Sequence, residues 1–530
     1  MIFGNKKYVF PFLMLGAVLT ALTLIFPQFG FLEWGTMIPL FVGAYRLCGS
    51  RRFSAKKTYW YGFLTVYVYY FITYHWFVAL YPLDFVGLDN ASSVAVVIAG
   101  WLGLSLLQAI PGGLMFLLFR LLHTKTRVFV RFPLLRPVAF SVLWIVFEWS
   151  STLSWTGVPW GRLCLGQVHY LPVLQSASLF GSYFISFLLL MVNGLLAYAI
   201  LYRRRRIRAA LCTVTAGTLV VSNLLLGIGL MSLKATPTDT ATVAVIQGAS
   251  NINDIPMTAQ VYADLTRKAA EEGAELVVWP ESIFPTYLNN YPYLKDSLSE
   301  LARECKVTLI VGALYSDYNG GDPRIYNSLY MIRPDGSFSD TVYSKRHLVP
   351  FGEYVPMRDL IMTLIPPLAQ LSALNQDFSP GQGSALFETE WGRMGSLICF
   401  DSIYEELTRE SVRDGAELIL LPSNDSWWFS DSAATYQHEG QAVLRAIESG
   451  RMVVRSGNTG VSTVISEKGE HSVWIEALTD GYALTEVSFF DHTTLYMQVG
   501  NLFVYLCIGF YFVLFSIGVW RKRERRALAY

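Results

Sequence analysis

The stretch "YADLTRKAAEEGAELVVWPES" (residues 262–282) indicates how the globular part of the chain folds, because it is repeated as "YEELTRESVRDGAELILLPSN" (residues 404–424). The two copies align without a gap. Each has the pattern of a helix, a Gly-Ala turn and an apolar strand that ends at proline. A unit of this length that occurs twice predicts a duplicated α/β layer. Glu281 and Ser423 then occupy equivalent positions, directly after the proline.

Further strands are predicted around the first copy. Short β-rich runs cover residues 242–248, 275–281 and 308–315. A helix is predicted over residues 258–272, between the first two runs. The sequence "PDG" at 334–336 favours a hairpin turn between two more strands. Strands and helices therefore alternate, which is typical of an α/β domain.

The composition of the whole chain indicates a membrane protein. Of its 530 residues, 53% are hydrophobic and only 15% are charged, against about 25% charged in a typical soluble domain. Seven membrane spans are predicted before the globular part, near residues 8–26, 31–47, 58–81, 93–119, 138–150, 180–202 and 209–231. Crossing a bilayer takes about 20 apolar residues, so the second and fifth segments are short for a span.

This distribution of apolar runs divides the chain into four parts. We expect an N-terminal membrane domain of about seven helices at 1–235, an extracytoplasmic globular domain at 240–495, a C-terminal transmembrane helix at 496–520 and a basic tail at 521–530.

Basic residues predict the orientation of the membrane domain. They cluster at five places, namely 6–7, 51–57, 120–136, 203–208 and 521–526. Counted by predicted span, all five clusters fall on the side of the N-terminus, which the positive-inside rule makes cytoplasmic. Both termini are therefore expected in the cytoplasm and the globular domain outside. The formal net charge is only +1 and we see no basic stripe, which argues against a nucleic-acid partner.

Two of the six cysteines, Cys305 and Cys399, fall in the predicted globular domain. In an oxidising compartment they could form a disulfide, and a cysteine that ends an apolar strand could equally be a small buried core residue. Cys305 ends a helix-like stretch whereas Cys399 follows a strand, so the sequence alone does not bring the two together. The third alternative is that Cys399 is a nucleophile.

Three residues at predicted strand ends are candidates for a nucleophile and its partners, although each by itself could be a core or surface residue. Glu281 follows "ELVVWP", Lys345 ends the second hairpin strand, and Cys399 ends "RMGSLIC". A thiol needs a base and positive potential to react at neutral pH. Glu281 can accept the proton, Lys345 can stabilise a thiolate and an oxyanion, and a helix predicted to begin near Ser402 adds its positive N-terminal end. Ser402 and Glu405 also have the spacing of a capping box.

Four segments of the globular domain together resemble the motifs of the nitrilase superfamily. They are "WPES" (279–282), "SKRHLVPFGEYVP" (344–356), "LICFDSIYEE" (397–406) and "LPSNDSWW" (421–428). The long form "K-x-x-L-V-P-F-G-E-Y-V-P", with membrane spans on both sides, resembles more narrowly the bacterial apolipoprotein N-acyltransferase family. The likeness extends to "EWSSTLSWTGVPWGRLCLGQ" (148–167) and so covers nearly the whole chain.

The resemblance implies a polytopic α-helical membrane domain joined to an α/β nitrilase-like αββα sandwich domain. It implies that Glu281 is a general base, Lys345 a stabiliser of transition-state charge and Cys399 the acyl-accepting nucleophile. Further residues are implied in supporting roles (Glu353, the backbone N–H of Phe400, and Asp401) or at the substrate or its lid (Tyr354, Pro356, Trp427 and Trp428). The family commonly has Cys-Tyr-Glu where this chain has Cys399, Phe400 and Asp401. We expect neither a metal nor a cofactor.

The implied reaction has two halves. Cys399 first takes a fatty acyl group from a membrane phospholipid as a thioester, and the α-amine of the S-diacylglyceryl cysteine of an apolipoprotein then takes it as an amide. Such an enzyme resides in the bacterial cytoplasmic membrane with its catalytic domain on the periplasmic side, and nothing in the sequence demands more than a monomer. Two alternatives remain open: a membrane-tethered amidase or nitrilase, in which water resolves the thioester, and a non-catalytic scaffold.

Two segments of the globular domain suit substrates that are anchored in a membrane. "FPTYLNNYPYL" (284–294) and "LIMTLIPPLAQLSAL" (360–374) are apolar or aromatic although the domain around them is of ordinary composition. Prolines break the second segment, so it does not fit a single core helix. We therefore expect both segments to be membrane-facing lids rather than ordinary core and turn.

Overall fold

The computed structural model describes residues 6–83, 87–126, 128–248, 254–318, 323–364, 376–428 and 432–527. The chain forms two compact units. The helical unit contains Met1–Val78, Val96–Leu233 and Val499–Tyr530, and the α/β unit contains Ala79–Ala95 and Lys234–Gln498.

Helices of the N-terminal part follow the apolar segments of the sequence. They are α1 (Val9–Ile25), α2 (Glu33–Thr36), α3 (Ile38–Gly49), α4 (Ala55–Thr73), α5 (Asn90–Lys125), α6 (Val128–Arg131), α7 (Leu135–Ser150), α8 (Leu171–Leu174), α9 (Ala177–Phe180), α10 (Ser182–Leu201) and α11 (Arg206–Ser232). Each of the seven predicted spans is helical over most of its length. Among the described residues, four helices are long and apolar enough to cross a membrane: α5, α10, α11 and Leu502–Trp520 near the C-terminal end.

The helices differ from the predicted spans mainly in length. The span predicted at 58–81 is an α-helix only to Thr73, and a 3-10 turn follows at His75–Leu80. Helices α3 and α7, at the second and fifth spans, have 12 and 16 residues. Close packing holds the shorter helices, because a Cβ on Gly16 of α1 would lie only 2.5 Å from Cβ of Leu40 in α3. Glycine at this position lets the two backbones approach.

A buried polar cluster ties the segment between α7 and α8 to the helices. The Oε1 atom of Glu148 accepts a hydrogen bond from the backbone N–H of Leu163, at 3.0 Å. Nε2 of Gln167 donates to Oε2 of Glu33 at 2.8 Å and to the carbonyl of Gly30 at 2.7 Å. Polar groups that are shielded from water need such internal partners. The cluster therefore fixes the path of a segment that has little regular structure.

Strands and helices alternate in the α/β unit. Its elements after α11 are β1 (Asp239–Gln247), α12 (Ile255–Glu271), β2 (Leu276–Val278), β3 (Phe284–Tyr287), α13 (Pro292–Cys305), β4 (Thr308–Asp317), β5 (Arg324–Ile332), β6 (Phe338–Ser344), α14 (Arg358–Leu364), β7 (Leu386–Thr389), β8 (Gly392–Ser396), α15 (Glu405–Arg413), β9 (Leu418–Ser423), α16 (Ala433–Ser449), β10 (Val453–Gly457), β11 (Ser462–Ile465), β12 (His471–Ile475), β13 (Gly481–Phe489) and α17 (Leu495–Val499). The last helix, α18 (Leu502–Ala527), belongs to the helical unit.

The strands form two sheets. The first has the order β13-β1-β2-β4-β5-β6, with β3 paired to β4, and the second has the order β12-β11-β10-β9-β8-β7. Apolar side chains of both sheets, such as Val245 of β1 and Val454 of β10, share one buried core. A second core lies between the first sheet and helices α12 and α13, while α15 and α16 contact the second sheet. The predicted αββα sandwich is thus confirmed.

The two copies of the repeated sequence take equivalent places in the two sheets. In the first copy α12 leads into β2, which pairs in parallel with β1 and β4. In the second copy α15 leads into β9, which pairs in parallel with β8 and β10. The hairpin predicted at 334–336 connects the antiparallel strands β5 and β6. Apolar strands flanked by parallel neighbours are buried on both faces, which is why their sequences are nearly continuous hydrophobic runs.

Candidate active site

Three strand ends bring the three predicted catalytic residues into one buried site. Glu281 lies three residues beyond β2, Lys345 follows β6 directly, and Cys399 lies three residues beyond β8. Their exposed fractions are 3%, 2% and 7% respectively. Nζ of Lys345 lies 2.8 Å from Oε1 of Glu281, and Cys399 is close enough to interact electrostatically with both. The fold therefore unites residues that are more than 50 positions apart in sequence.

Lys345 is held between two carboxylates. Its ammonium group donates to Oε1 of Glu281 and, at 3.0 Å, to Oε1 of Glu353. Burial opposes the charge of Lys345, but the two carboxylates outweigh it and raise the pKa of the lysine well above its usual value. The side chain is thus a fixed positive charge. Glu353, predicted in a supporting role, is oriented in turn by the backbone N–H of Val349, which donates to its Oε2 at 2.8 Å.

Three groups donate hydrogen bonds to the Glu281 carboxylate. Besides Lys345, the amide Nδ2 of Asn327 donates to its Oε1 at 2.6 Å, and the backbone N–H of Asn424 donates to its Oε2 at 2.8 Å. These three donors fix the orientation of the Glu281 carboxylate, whose two oxygens offer about four acceptor sites. The arrangement suits a general base.

Cys399 occupies a constrained turn. Its φ angle is +48°, in the left-handed region that side chains other than glycine rarely adopt. A 3-10 turn runs from Cys399 to Ile403, and the helix α15 begins only at Glu405. The helix start predicted near Ser402 is therefore wrong. The reason is local, because the Ser402 hydroxyl donates to the carbonyl of Cys399 at 2.8 Å instead of capping a helix.

The thiol of Cys399 is protonated at rest. Burial raises its pKa, the negative charge of Glu281 raises it further, and Lys345 only partly opposes the two. We expected the positive potential around the thiol to favour the thiolate, but in the structure desolvation outweighs that potential. A protonated thiol attacks only when a base takes its proton, and Glu281 is the residue predicted for that role. Cys305 and Cys399 are both free thiols, so the disulfide alternative is excluded.

Asp401 links the turn of Cys399 to the strand end of Lys345. Its Oδ1 accepts from the backbone N–H of His347 at 2.8 Å, and its Oδ2 accepts from the hydroxyl of Tyr343 at 2.9 Å and from the backbone N–H of Ile398 at 3.1 Å. Burial raises the pKa of Asp401 to about 6, although these donors act in the opposite direction. Asp401 is shorter than the glutamate that is usual in the family at this position, but it still connects the turn of Cys399 to the strand end of Lys345.

The remaining predicted residues lie around this site, and no contact assigns them a substrate. The Phe400 ring packs against Tyr404 with 5.7 Å between centroids, and its N–H stays a predicted oxyanion donor. The Trp428 ring lies 6.1 Å from that of His438, and Trp427 packs beside the backbone of Gly352. Pro356 is buried and Tyr354 is half-buried on the segment that carries Glu353.

The structure describes the first predicted lid in full and the second only in part. Residues 284–287 form β3, which pairs with β4 with a shift in register, so the first segment begins as an irregular strand. Beyond it, Tyr291 and Tyr293 are 43% and 80% exposed. Of the second segment, 365–374 lie outside the described residues, while Leu360 in α14 is half exposed.

Sequence reasoning missed two groups of polar residues. Asn327 on β5 donates to both Glu281 and Glu353, the latter at 2.9 Å. Nothing in the surrounding "IYNSLYM" marks it as functional. The second group contains Asp425 and His438, which come within 4.8 Å of the Cys399 sulfur. Both fall inside segments that resemble the family, but their spacing of 13 residues gave no reason to pair them.

Asp425 and His438 share a buried cation. Oδ2 of Asp425 pairs with the guanidinium of Arg455, and its Oδ1 accepts from Nδ1 of His438 at 3.0 Å. Although burial raises the pKa of Asp425, Arg455 and His438 lower it to about 2. By distance alone Cys399, Asp425 and His438 could hold a metal ion. Because Asp425 already has Arg455 as its counter-ion, a second cation there would meet like charge.

Comparisons with known proteins agree with the two-unit architecture. A sequence profile described as "Carbon-nitrogen hydrolase" matches residues 242–493, and one described as "Apolipoprotein N-acyltransferase N-terminal domain" matches residues 16–195. An apolipoprotein N-acyltransferase of Geobacter metallireducens is 32% identical over 520 residues, which cover 96% of this chain and 95% of that protein. One of Nostoc sp. is 28% identical over 474 residues, covering 87% and 89%. Among solved structures, Saccharomyces cerevisiae Nit3, a member of branch 10 of the nitrilase superfamily, is similar over 48% of this chain and 93% of its own, with 21% identity and a TM-score of 0.38.

Proposed function

The chain belongs to the apolipoprotein N-acyltransferase family, and from this membership we propose that Cys399 carries a fatty acyl group from a phospholipid to the amine of a lipoprotein. As a member it is an acyltransferase that acts in lipoprotein N-acylation. The observation that supports a covalent route most directly is the buried contact of Lys345 with Glu281 beside the Cys399 thiol.

The first half-reaction forms a thioester. Glu281 takes the proton of the Cys399 thiol as the sulfur attacks the ester carbonyl of the phospholipid. The oxyanion of the tetrahedral intermediate develops next to the ammonium of Lys345. As the carbon–oxygen bond breaks, the proton passes from Glu281 to the leaving alkoxide. A lysophospholipid departs and the acyl group stays on sulfur.

The second half-reaction forms an amide. The free α-amine of the S-diacylglyceryl cysteine attacks the thioester, and Glu281 takes a proton from the attacking nitrogen. The carbon–sulfur bond then breaks, and the same proton returns to the Cys399 sulfur. Asn327 and the backbone N–H of Asn424 hold Glu281 in position for both transfers. Glu281, Lys345 and Cys399 all come from one chain, so the chemistry requires no second copy.

Residues 1–235 and 496–520 would form the membrane domain around an extracytoplasmic catalytic domain at 240–495, with a cytoplasmic basic tail at 521–530. The five basic clusters support this orientation, in which both termini are cytoplasmic and the catalytic domain faces the periplasm. The exposed rings of Tyr291 and Tyr293 fit a membrane-facing edge, since tyrosine favours the headgroup region.

An exchange experiment tests the covalent route. Purified full-length protein is incubated with phospholipid vesicles and an isotopically labelled lysophospholipid, without any lipopeptide acceptor. A thioester intermediate predicts that label enters intact phospholipid, because the first half-reaction is reversible. Direct transfer from phospholipid to amine predicts no exchange without acceptor. A hydrolase would release free fatty acid instead, and either of these two results would overturn the proposal.

A further inference from the structure

A second buried polar cluster contacts Cys399 in addition to its charged partners in the reaction scheme. It contains Ser423 at the end of β9, Asp425 just beyond it, His438 on α16 and Arg455 on β10. All four side chains are buried. None of them has a role in the two half-reactions described above, and we call them the His438 cluster.

The His438 cluster holds both ends of Cys399. Nε2 of His438 lies 3.1 Å from the carbonyl oxygen of Cys399, and its Nδ1 is fixed by Asp425. The hydroxyl of Ser423 interacts with the Cys399 sulfur and also lies 3.2 Å from Oδ1 of Asp425. The main chain and the thiol of one residue are thus attached to the same buried carboxylate.

These contacts matter because the backbone conformation of Cys399 is energetically unfavourable by itself. A non-glycine residue at φ +48° is retained only where surrounding groups determine its conformation. Two polar side chains lie within hydrogen-bonding distance of its carbonyl oxygen. The Ser402 hydroxyl belongs to the same five-residue turn, so it moves with that turn. His438 belongs to another element and can hold the turn against the rest of the fold.

Asp425 and Arg455 orient the histidine ring. With Nδ1 bonded to the carboxylate, Nε2 points at the Cys399 carbonyl and, at 3.2 Å, at the Ser402 hydroxyl. Arg455 Nη2 also lies 3.4 Å from Nδ1, farther than the carboxylate oxygen at 3.0 Å. The Asp425 bond therefore sets which nitrogen faces Cys399.

We propose that His438, oriented by Asp425 and Arg455, is a positioning residue that holds the main chain of Cys399 so that its thiol meets Glu281 and the acyl donor. The inference rests on the proposed role of Cys399 as nucleophile. His438 itself touches no reacting atom in this scheme. Its effect is on geometry, and a displacement of about 1 Å in a reacting group can cost about 10²-fold in rate.

A pair of substitutions at His438 separates this role from a merely structural one. The amide nitrogen of glutamine reaches about as far as Nε2 of histidine, whereas that of asparagine reaches about as far as Nδ1. His438→Gln can thus place an N–H donor at the Cys399 carbonyl, whereas His438→Asn can place one only at Asp425. Both variants keep a polar side chain in the cluster. His471→Ala on β12 is a control for loss of a histidine outside the cluster.

The measurement uses full-length protein in vesicles of phosphatidylethanolamine and phosphatidylglycerol with a diacylglyceryl-cysteine lipopeptide. We expect His438→Asn to slow formation of the acyl-enzyme by about 10²-fold, with KM for the lipopeptide unchanged. We expect His438→Gln to retain at least about a tenth of the original rate. Equal rates for the two variants would overturn the inference. So would a loss that appears in KM for the lipopeptide rather than in kcat.

Cys399→Ala in the same assay keeps the two proposals distinguishable. If Cys399→Ala still transfers acyl groups, the proposed function fails and the positioning role fails with it. If Cys399→Ala is inactive while His438→Asn acylates at the normal rate, only the positioning role is overturned. A loss of activity on treating the unmodified protein with EDTA would also overturn it, because a metal ion would then hold the His438 cluster.

Discussion

The two copies of the helix–turn–strand unit end at the same active site with different chemistry. The first copy ends in Pro280 and Glu281, and the second ends in Pro422 and Ser423. Their equivalent ends meet, because the backbone N–H of Asn424, the residue after Ser423, donates to Glu281. The repeated backbone unit thus places two strand ends together, and the side chains at those ends differ.

The charged side chains around Glu281, the first end, also differ from those around Ser423, the second end. Beside Glu281, one buried cation, Lys345, lies between two carboxylates. Beside Ser423, the buried cation Arg455 pairs with the carboxylate of Asp425. We infer that the first end moves protons and stabilises charge, whereas the second end holds the nucleophile in place. Substitutions that remove the base or the cation of the first end should therefore reduce rate more than those at the second.

The largest effect is expected at the base. Glu281→Gln should lower acyl-enzyme formation by about 10²–10⁴-fold, the usual contribution of a general base, because the amide accepts no proton and the thiol is protonated at rest. The rate can be measured from the acyl mass on the protein in a single turnover. Glu300→Gln on the exposed face of α13 is the matched control. A Glu281→Gln variant as fast as this control would contradict the division of roles.

Removal of the positive charge of Lys345 should have the next largest effect. Lys345→Met should lower kcat by about 10²–10³-fold through loss of oxyanion stabilisation. It should also destabilise the fold by about 3–5 kcal/mol, because two buried carboxylates lose their cation. Adding Glu353→Gln should recover part of the stability in thermal unfolding without recovering kcat. If the double variant regained activity, Lys345 would be important for folding alone.

A smaller effect is expected at Asn327, which only orients the carboxylates. Asn327→Ala removes the donor shared by Glu281 and Glu353 and should lower kcat by about 10–100-fold, the value of one or two hydrogen bonds to charged groups. Asn289→Ala, whose side chain bonds Ser316 away from the site, is the control for steady-state assays. Equal kcat values for both variants would show that Asn327 has no orienting role.

The second end should also respond through stability and pH. The pKa of Asp425 is about 2 in the folded chain, below the usual unfolded value of about 3.9. Its contribution, about 2–3 kcal/mol, is fully present above pH 4–5 and is lost as the pH falls through about 2. The difference in unfolding midpoint between the original protein and Asp425→Asn should therefore shrink on acidification.

Asp264, which forms an exposed ion pair with Arg267, supplies the control for this titration. Asp264→Asn affects only a surface contact with Arg267, which contributes little to stability. Its unfolding midpoint should stay close to that of the original protein at every pH. A gap for Asp425→Asn that stays constant down to pH 2 would contradict the ion pair with Arg455 as its cause.

The sequence predicted more of the first end than of the second. Glu281, Lys345 and Cys399 could be found because strand ends are marked by apolar runs, proline and the hairpin turn. Asn327 lies inside β5, where only the register of the sheet decides which side chains face the site. His438 needed the packing of α16 against the turn of Cys399. The helix start predicted near Ser402 failed because the Ser402 hydroxyl bonds the Cys399 carbonyl instead of capping a helix.

The central claim, that Cys399 carries the acyl group, is tested most directly by the mass of the protein itself. Full-length protein is incubated in phospholipid without acceptor, and its peptides are compared with those of Cys399→Ala. The account predicts a fatty-acyl mass on the peptide that contains Cys399, its absence from the variant, and its discharge by a diacylated lipopeptide but only slowly by water. No adduct, or an adduct that water discharges as fast as the lipopeptide does, would contradict it.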